Sequence, residues 1–217
     1  VGVTGGDAKL DTAQKKFGTA SLELDGTADN LTYPTSPDFG FGTTNWAAEC
    51  FIRPSSVTGT QYIFDFRNAS ATDTAPTVYL NGTALHFGVG NTSQITGGTL
   101  STGTWYHVAV AKSGGNTYLF LDGVQVGSNY TDTNNYGTTK PLVVGSDYNS
   151  GANAFAGHID EVRISKAAAR YTANFTSPTS AFGNDLNTVL LIHFDGTDGA
   201  TTITDSSGGV KDIRSSG

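Results

Sequence analysis

The sequence has no methionine, a single cysteine and no long apolar run, and each shortage removes a class of protein. One thiol, Cys50, cannot form an intrachain disulfide, so no disulfide framework holds the chain and cysteine counting does not settle its compartment. A membrane-spanning helix needs about 18 consecutive apolar residues, which are missing, so membrane insertion is not expected. The absence of a signal peptide and of an initiator methionine reads as a mature segment or an excised piece of a longer protein. Charge is scarce as well. Twelve Lys and Arg against nineteen Asp and Glu give a net charge of −7. Scattered cations on an acidic chain form no basic stripe, which argues against nucleic acid as a partner. The acidity fits solubility, or acidic loops that bind calcium.

What is abundant is glycine, 28 residues among 217, with Thr, Ser and Asn filling the gaps between short apolar runs. That composition predicts one large all-β domain of many strands and turns. Ser21 to Asp25 alternates, with Leu22 and Leu24 inward. Trp46 to Pro54 is a further strand, in which Cys50 is a small buried residue, and Gln61 to Arg67 another. Asn81-Gly82 and Asp122-Gly123 are hairpin signals, because a two-residue type I′ turn needs φ > 0 at both central positions. Around the second of these, Gly103 to Ser128 supplies three consecutive strands. Phe155 to Ser165 reads as a central strand on which the adjacent Asp160 and Glu161 point to opposite faces. Lys166 to Arg170 reads as one helical turn.

Three stretches carry a family resemblance. Gly-Thr-Trp-Tyr-His-Val-Ala from Gly103, followed by Leu-Asp-Gly-Val from Leu121, joins Phe17 to Leu31 and Phe155 to Ser165 in an order that resembles the laminin G-like modules of the concanavalin A-like lectin and glucanase superfamily. The resemblance implies a two-sheet antiparallel jelly-roll sandwich over residues 1–217. It also makes residues 188–217 unusual, because the strand type Leu-Leu-x-His-Phe-Asp-Gly usually comes first in such modules. The tail therefore resembles the first strand of a following repeat, and it is expected to complete the sandwich in cis.

Catalysis is tested first, since the superfamily contains glycoside hydrolases. Those enzymes need two facing carboxylates, whereas Glu23, Glu49 and Glu161 are isolated here. No nucleophile elbow or zinc-ligand spacing is present. His107 and Trp105 read as core residues. The resemblance implies a structural calcium site, with Asp25 and Asp29 beside the Gly26 turn and Asp160 on the nearby strand. For carbohydrate, the chemistry calls for aromatic faces flanked by hydrogen-bonding groups. Tyr130, Asp132, Asn135 and Tyr136 on one loop and Asp147, Tyr148 and Asn149 on the next supply that mixture around a single strand.

The expectation is thus a non-enzymatic recognition module on an extracellular, cell or virion surface, binding a glycan or another surface ligand as part of a tandem array, as in adhesins and phage tail or fibre proteins. The alternatives are a structural spacer with no small ligand and, more weakly, a glycoside hydrolase.

Overall fold

Short alternating segments separated by positive-φ turns can bury their apolar faces only by pairing sideways and stacking, and this chain does both. A computed structural model describes residues 2–68, 70–148 and 151–208. Its strands are β1 (Val3–Gly5), β2 (Lys9–Asp11), β3 (Ser21–Asp25), β4 (Asn30–Ser36), β5 (Trp46–Pro54), β6 (Thr60–Asp65), β7 (Pro76–Asn81), β8 (Ala84–Val89), β9 (Thr92–Gly97), β10 (Tyr106–Ser113), β11 (Asn116–Leu121), β12 (Val124–Gln125), β13 (Tyr130–Thr131), β14 (Lys140–Val144), β15 (Ala156–Lys166) and β16 (Thr188–Ile192). One sheet has seven strands in the order β1-β4-β14-β6-β7-β8-β9. The other has nine: β12-β11-β10-β5-β15-β3-β2, with β13 beside β11 and β16 beside β15. Neighbours pair antiparallel throughout. This is the expected jelly-roll sandwich of concanavalin A-like type.

The Asp122-Gly123 hairpin forms as the sequence demands, whereas the other closes one residue later than expected, around Gly82-Thr83, with φ positive at Gly82 (60°) and not at Asn81 or Thr83. Asp122 and Gly123 have φ of 51° and 80°, which sets Leu121 opposite Val124. Asn81 faces Ala84 across the other turn. The N-terminal sixteen residues, polar and glycine-rich, nevertheless contribute β1 and β2. Lys166 to Arg170 makes no helical turn; Ala167 sits at φ 62° and ends β15, because a left-handed residue turns the chain out of any right-handed helix.

The main core lies between the sheets. Alternate residues of β5, namely Trp46, Ala48, Cys50 and Ile52, point into it, and Phe41 stacks on Trp46 at 4.7 Å. The other face of β5 is covered too. Segment 167–187 crosses the outside of the nine-stranded sheet and lays Phe182 on Phe51 and His107, and stacked Tyr171 and Phe175 on Phe120. Strand β16 runs along the C-terminal half of β15, in line with β3 on its N-terminal half. Val189, Leu190, Ile192, Phe194 and Ile203 enter the main core; residues 209–217 of the tail lie outside the described residues.

Candidate functional site

On the exposed face of the seven-stranded sheet the register lines up four side chains on four successive strands. Tyr62 of β6 lies opposite Tyr79 of β7, Tyr79 opposite His86 of β8, and His86 opposite Thr96 of β9. The Tyr62 and Tyr79 rings are 5.1 Å apart and tilted by 32°; those of Tyr79 and His86 are 4.9 Å apart and nearly parallel at 7°. Directly opposed residues on neighbouring strands are close enough for rings to overlap in offset stacks. An irregularity in β6 between Tyr62 and Phe64 turns both Ile63 and Phe64 into the core, leaving Tyr62, Asp65 and Arg67 on the outer side of the sheet, where all three are nevertheless buried. Tyr79 and His86 are half-buried. His86 Nδ1 lies 2.9 Å from both Ser93 Oγ and Thr96 Oγ1, and burial holds the ring below its usual 6.5, so it is neutral at physiological pH.

Arg67 closes one flank of the row. Its guanidinium lies between the Tyr62 ring at 5.0 Å and the Tyr148 ring at 4.6 Å. It grips the Asp65 carboxylate through Nε at 2.9 and 3.0 Å and also bonds Asn91, so its charge is already spent. The Tyr62 N–H donates to the Asn153 carbonyl at 3.0 Å. This joins the row to a polar depression of about 410 Å³ lined by Asp25, Ser56, Thr58, Thr60, Gln61 and Asn153. Gln61 fixes that rim: Nε2 donates to the Ser56 and Thr58 carbonyls at 3.1 and 3.2 Å, and Oε1 accepts the Ala156 N–H at 2.9 Å.

The loops expected to carry the carbohydrate site precede and follow β14, and therefore leave it at opposite ends. Tyr136 is fully buried against Trp46, with its hydroxyl donating to Asp132 Oδ2 at 2.7 Å. Asp132, itself 1 % exposed, also accepts from Thr117 at 2.7 Å. Neither can present a surface to a solute; together they seal the core edge. Tyr130 is half-buried beside Phe87, and the exposed Asn135 uses its Oδ1 to accept the Gly137 N–H. The second loop lies nearer the aromatic row. Tyr148 covers Arg67, and the buried Asp147 accepts from Asn153 at 2.8 Å. Asn149 lies outside the described residues. The row itself escaped the sequence reading, because a turn centred on Asn81-Gly82 would set Tyr79 opposite Ala84, whereas the loop at Gly82-Thr83 sets it opposite His86.

The three proposed metal ligands do not converge. Asp25 pairs with Ala156, four residues along β15 from Asp160, and Asp160 turns to the outer face of the nine-stranded sheet. There its Oδ2 accepts the N–H groups of Lys16 and Phe17 at 2.8 and 3.1 Å. Asp7 takes its place: carboxylate oxygens of Asp7, Asp25 and Asp29 all lie within 4.8 Å of one another. Asp29 is preset by accepting the Asp7 and Asp25 N–H groups, each at 2.8 Å. Burial and the neighbouring Asp25 raise its pKa. This oxygen-only cluster suits a hard cation, with the remaining ligands drawn from water.

Asp160 and Glu161 share one face rather than pointing apart. Glu161 has φ 55° and the register slips between Asp160 and Arg163, a bulge that opposes two residues to one and cancels the alternation. Burial pushes Asp160 up to about 7, against three N–H donors. Glu161 accepts the Phe182 N–H at 2.7 Å and lies 2.9 Å from His193 Nδ1. Glu49, 1 % exposed, takes His107 Nε2 at 3.1 Å, Arg163 at 2.6 and 2.8 Å and the Tyr171 hydroxyl at 2.8 Å. Segment 167–187 roofs Glu49 and Glu161, which act as structural glue beneath it, while Asp160 ties down residues 16 and 17. His107 is a core residue, as expected, and Trp105 packs half-buried beside Phe51, Phe182 and Leu191. Cys50 is fully buried, which raises its thiol pKa and leaves it inert.

A family model, Laminin_G_3 of the concanavalin A-like lectin/glucanases superfamily, matches residues 25–170. No curated protein matches the chain. Among solved structures, a candidate carbohydrate-binding protein from Bacteroides ovatus is 17 % identical with a TM-score of 0.61 over 96 % of this chain. The chain spans 57 % of that structure's length. The enzymatically active domain of bacteriophage CBA120 tailspike protein 2 gives 16 % identity and a TM-score of 0.62, over 88 % of this chain and 32 % of that one. Domain 4 of an extracellular arabinanase from Geobacillus stearothermophilus, solved with arabinotriose, gives 19 % identity and 0.55, over 80 % and 79 %. At these identities the likeness is one of fold.

Proposed function

Because the chain belongs to the Laminin_G_3 family of the concanavalin A-like lectin/glucanases superfamily, we propose that it is a non-catalytic carbohydrate-recognition module whose binding surface is the accessible Tyr79–His86 part of the row, backed by the buried Tyr62, and the adjoining polar depression. The observation that carries this reading is the row itself. Aromatic side chains placed side by side on a rigid sheet offer apolar contact to the C–H faces of sugar rings, and Ser93, Thr96 and Asn153 stand beside them to exchange hydrogen bonds with hydroxyls. With Arg67 paired to Asp65 and His86 neutral, the row has no free cation, so neutral sugars are favoured over acidic ones.

A glycosidase would need two carboxylates flanking the scissile bond. Beside the row, Asp65 is clamped by Arg67 and by the Tyr148 N–H at 2.8 Å and is not available for that role. Occurrence of the fold in an extracellular arabinanase and in a phage tailspike supports placement at a cell or virion surface. There, repeated copies would raise weak single-site affinity through avidity. Asp7, Asp25 and Asp29 are the residues to hold a structural calcium ion beside the depression.

Binding to an array of neutral and acidic oligosaccharides tests the reading. Tyr79→Ala is expected to weaken binding of any neutral glycan at least 10-fold, about 1.4 kcal/mol, while leaving the fold intact. Unchanged binding by Tyr79→Ala would move the site elsewhere, and no binding to any glycan would favour the spacer.

A further inference from the structure

On the other sheet, a second set of side chains converges from three neighbouring strands. Asp11 of β2, Glu23 of β3 and His158 of β15 each place one ligand atom so that all three lie within 4.8 Å of one another. The pairing makes this rigid. Glu23 is the cross-strand partner of His158 on one side and of Lys9 on the other, and Asp11 lies two residues along β2 from Lys9. Leu10, Leu22 and Ile159, next to the three ligands, point into the main core, so alternation fixes Asp11, Glu23 and His158 on the outer face.

We propose that Asp11, Glu23 and His158 form a binding site for a divalent transition-metal ion of the zinc class. The donor set selects the metal. An imidazole nitrogen with two carboxylate oxygens suits zinc, cobalt(II) or nickel(II), whereas calcium and magnesium take oxygen-only shells. Three protein ligands also match the count of an open zinc site, whose fourth position goes to water. His158 reaches the cluster through Nε2, 2.9 Å from Asp11 Oδ2, while its Nδ1 is buried and makes no hydrogen bond among the described residues. Asp11 Oδ1 accepts the Ala13 N–H at 2.7 Å, which aims the other oxygen at the imidazole. Such outer hydrogen bonds preset ligand orientation. The present occupants are readily displaced. Lys9 approaches Glu23 at 3.5 Å with side chains 47 % and 40 % exposed, a pairing that water screens. The His158–Asp11 pair, 12 % and 17 % exposed, stays within reach of solvent. An ion about 2.0–2.2 Å from each atom draws the three ligands together by small side-chain rotations, without moving the strands.

The site is chemically distinct from the Asp7, Asp25 and Asp29 cluster, and it does not depend on glycan binding. Titration calorimetry of zinc(II) into the chelator-treated full chain is expected to show one site per chain. His158→Ala and Glu23→Gln should each weaken it at least 10-fold, and Asp25→Asn should leave it unchanged. Cobalt(II) loaded into the wild type should give visible d–d absorption that His158→Ala abolishes. Glu23 is partly exposed, so Glu23→Gln keeps the test decisive if His158→Ala fails to fold. Zinc binding by Glu23→Gln and His158→Ala as tight as that of the wild type, or no heat at millimolar zinc in the wild type, would overturn the proposal.

Discussion

Replacing Glu49 by Gln changes few atoms and removes one charge from beneath segment 167–187. The carboxylate is buried and takes hydrogen bonds from His107, Tyr171 and both Nε and an Nη of Arg163, with Arg170 a further 3.6 Å away. An amide accepts at one end only, so the Arg163 side chain, 11 % exposed, loses its counter-charge. Breaking one partner of a buried pair costs about 3–5 kcal/mol. Because both arginines retain some contact with water, the lower end applies, about 3 kcal/mol, or a fall in Tm of roughly 6–12 °C for a domain of this size. The pH dependence identifies the charge as the cause. Burial alone would raise the Glu49 pKa, but hydrogen bonding and charge from His107 and Arg163 outweigh it and hold the group below its usual 4.5. A depressed carboxylate contributes stability that is full above the unfolded value and is lost as pH falls through the folded one. The gap between wild type and Glu49→Gln in urea unfolding should therefore be widest above about pH 5 and should close as pH drops below 4. A gap under 1 kcal/mol at pH 7, or one that persists unchanged at pH 3, would refute the account.

Four other outcomes follow from the packing. Tyr136→Phe removes one of the two 2.7 Å donors to Asp132 Oδ2 and should cost about 1–3 kcal/mol in chemical denaturation, with glycan binding unaffected because the ring is buried. Leu190→Ala empties a site in the main core and should cost about 2–5 kcal/mol, measurable as a lower Tm, since β16 is bound to the sandwich by its side chains. Gly157→Ala should abolish soluble expression: at φ 144° the added Cβ would lie 2.3 Å from the Arg53 carbonyl oxygen, a backbone atom that cannot step aside. Calcium added to chelator-treated protein should raise the calorimetric Tm of the wild type and not of Asp7→Asn/Asp25→Asn. The stabilisation reaches about 2.7 kcal/mol at a hundredfold excess over Kd.

Local chemistry made the sandwich legible before any contact was known. Alternation in Ser21–Asp25 and Trp46–Pro54, the Asn81-Gly82 and Asp122-Gly123 turns, and the three family stretches all depend on residues close together in the chain. Their physics is the strand period of two and the φ > 0 that a tight hairpin requires. The polar stretch around Tyr130–Tyr136 misled for the same reason. Composition reports how hydrophilic a segment is, and says nothing of whether Thr117 and Lys112 wait inside to satisfy a buried Asp132. Alternation also failed at Asp160-Glu161, where one bulge turned two neighbouring carboxylates to the same side. The sequence by itself determined which segments are strands and which face of most of them is apolar, because those are one-dimensional properties. Only the tertiary structure decided that Tyr62, Tyr79 and His86 form a row, that Asp7 rather than Asp160 joins Asp25 and Asp29, and that Asp11, Glu23 and His158 meet. Each of these depends on the register between strands distant in the chain, which is fixed by the sum of core packing and by no residue taken alone.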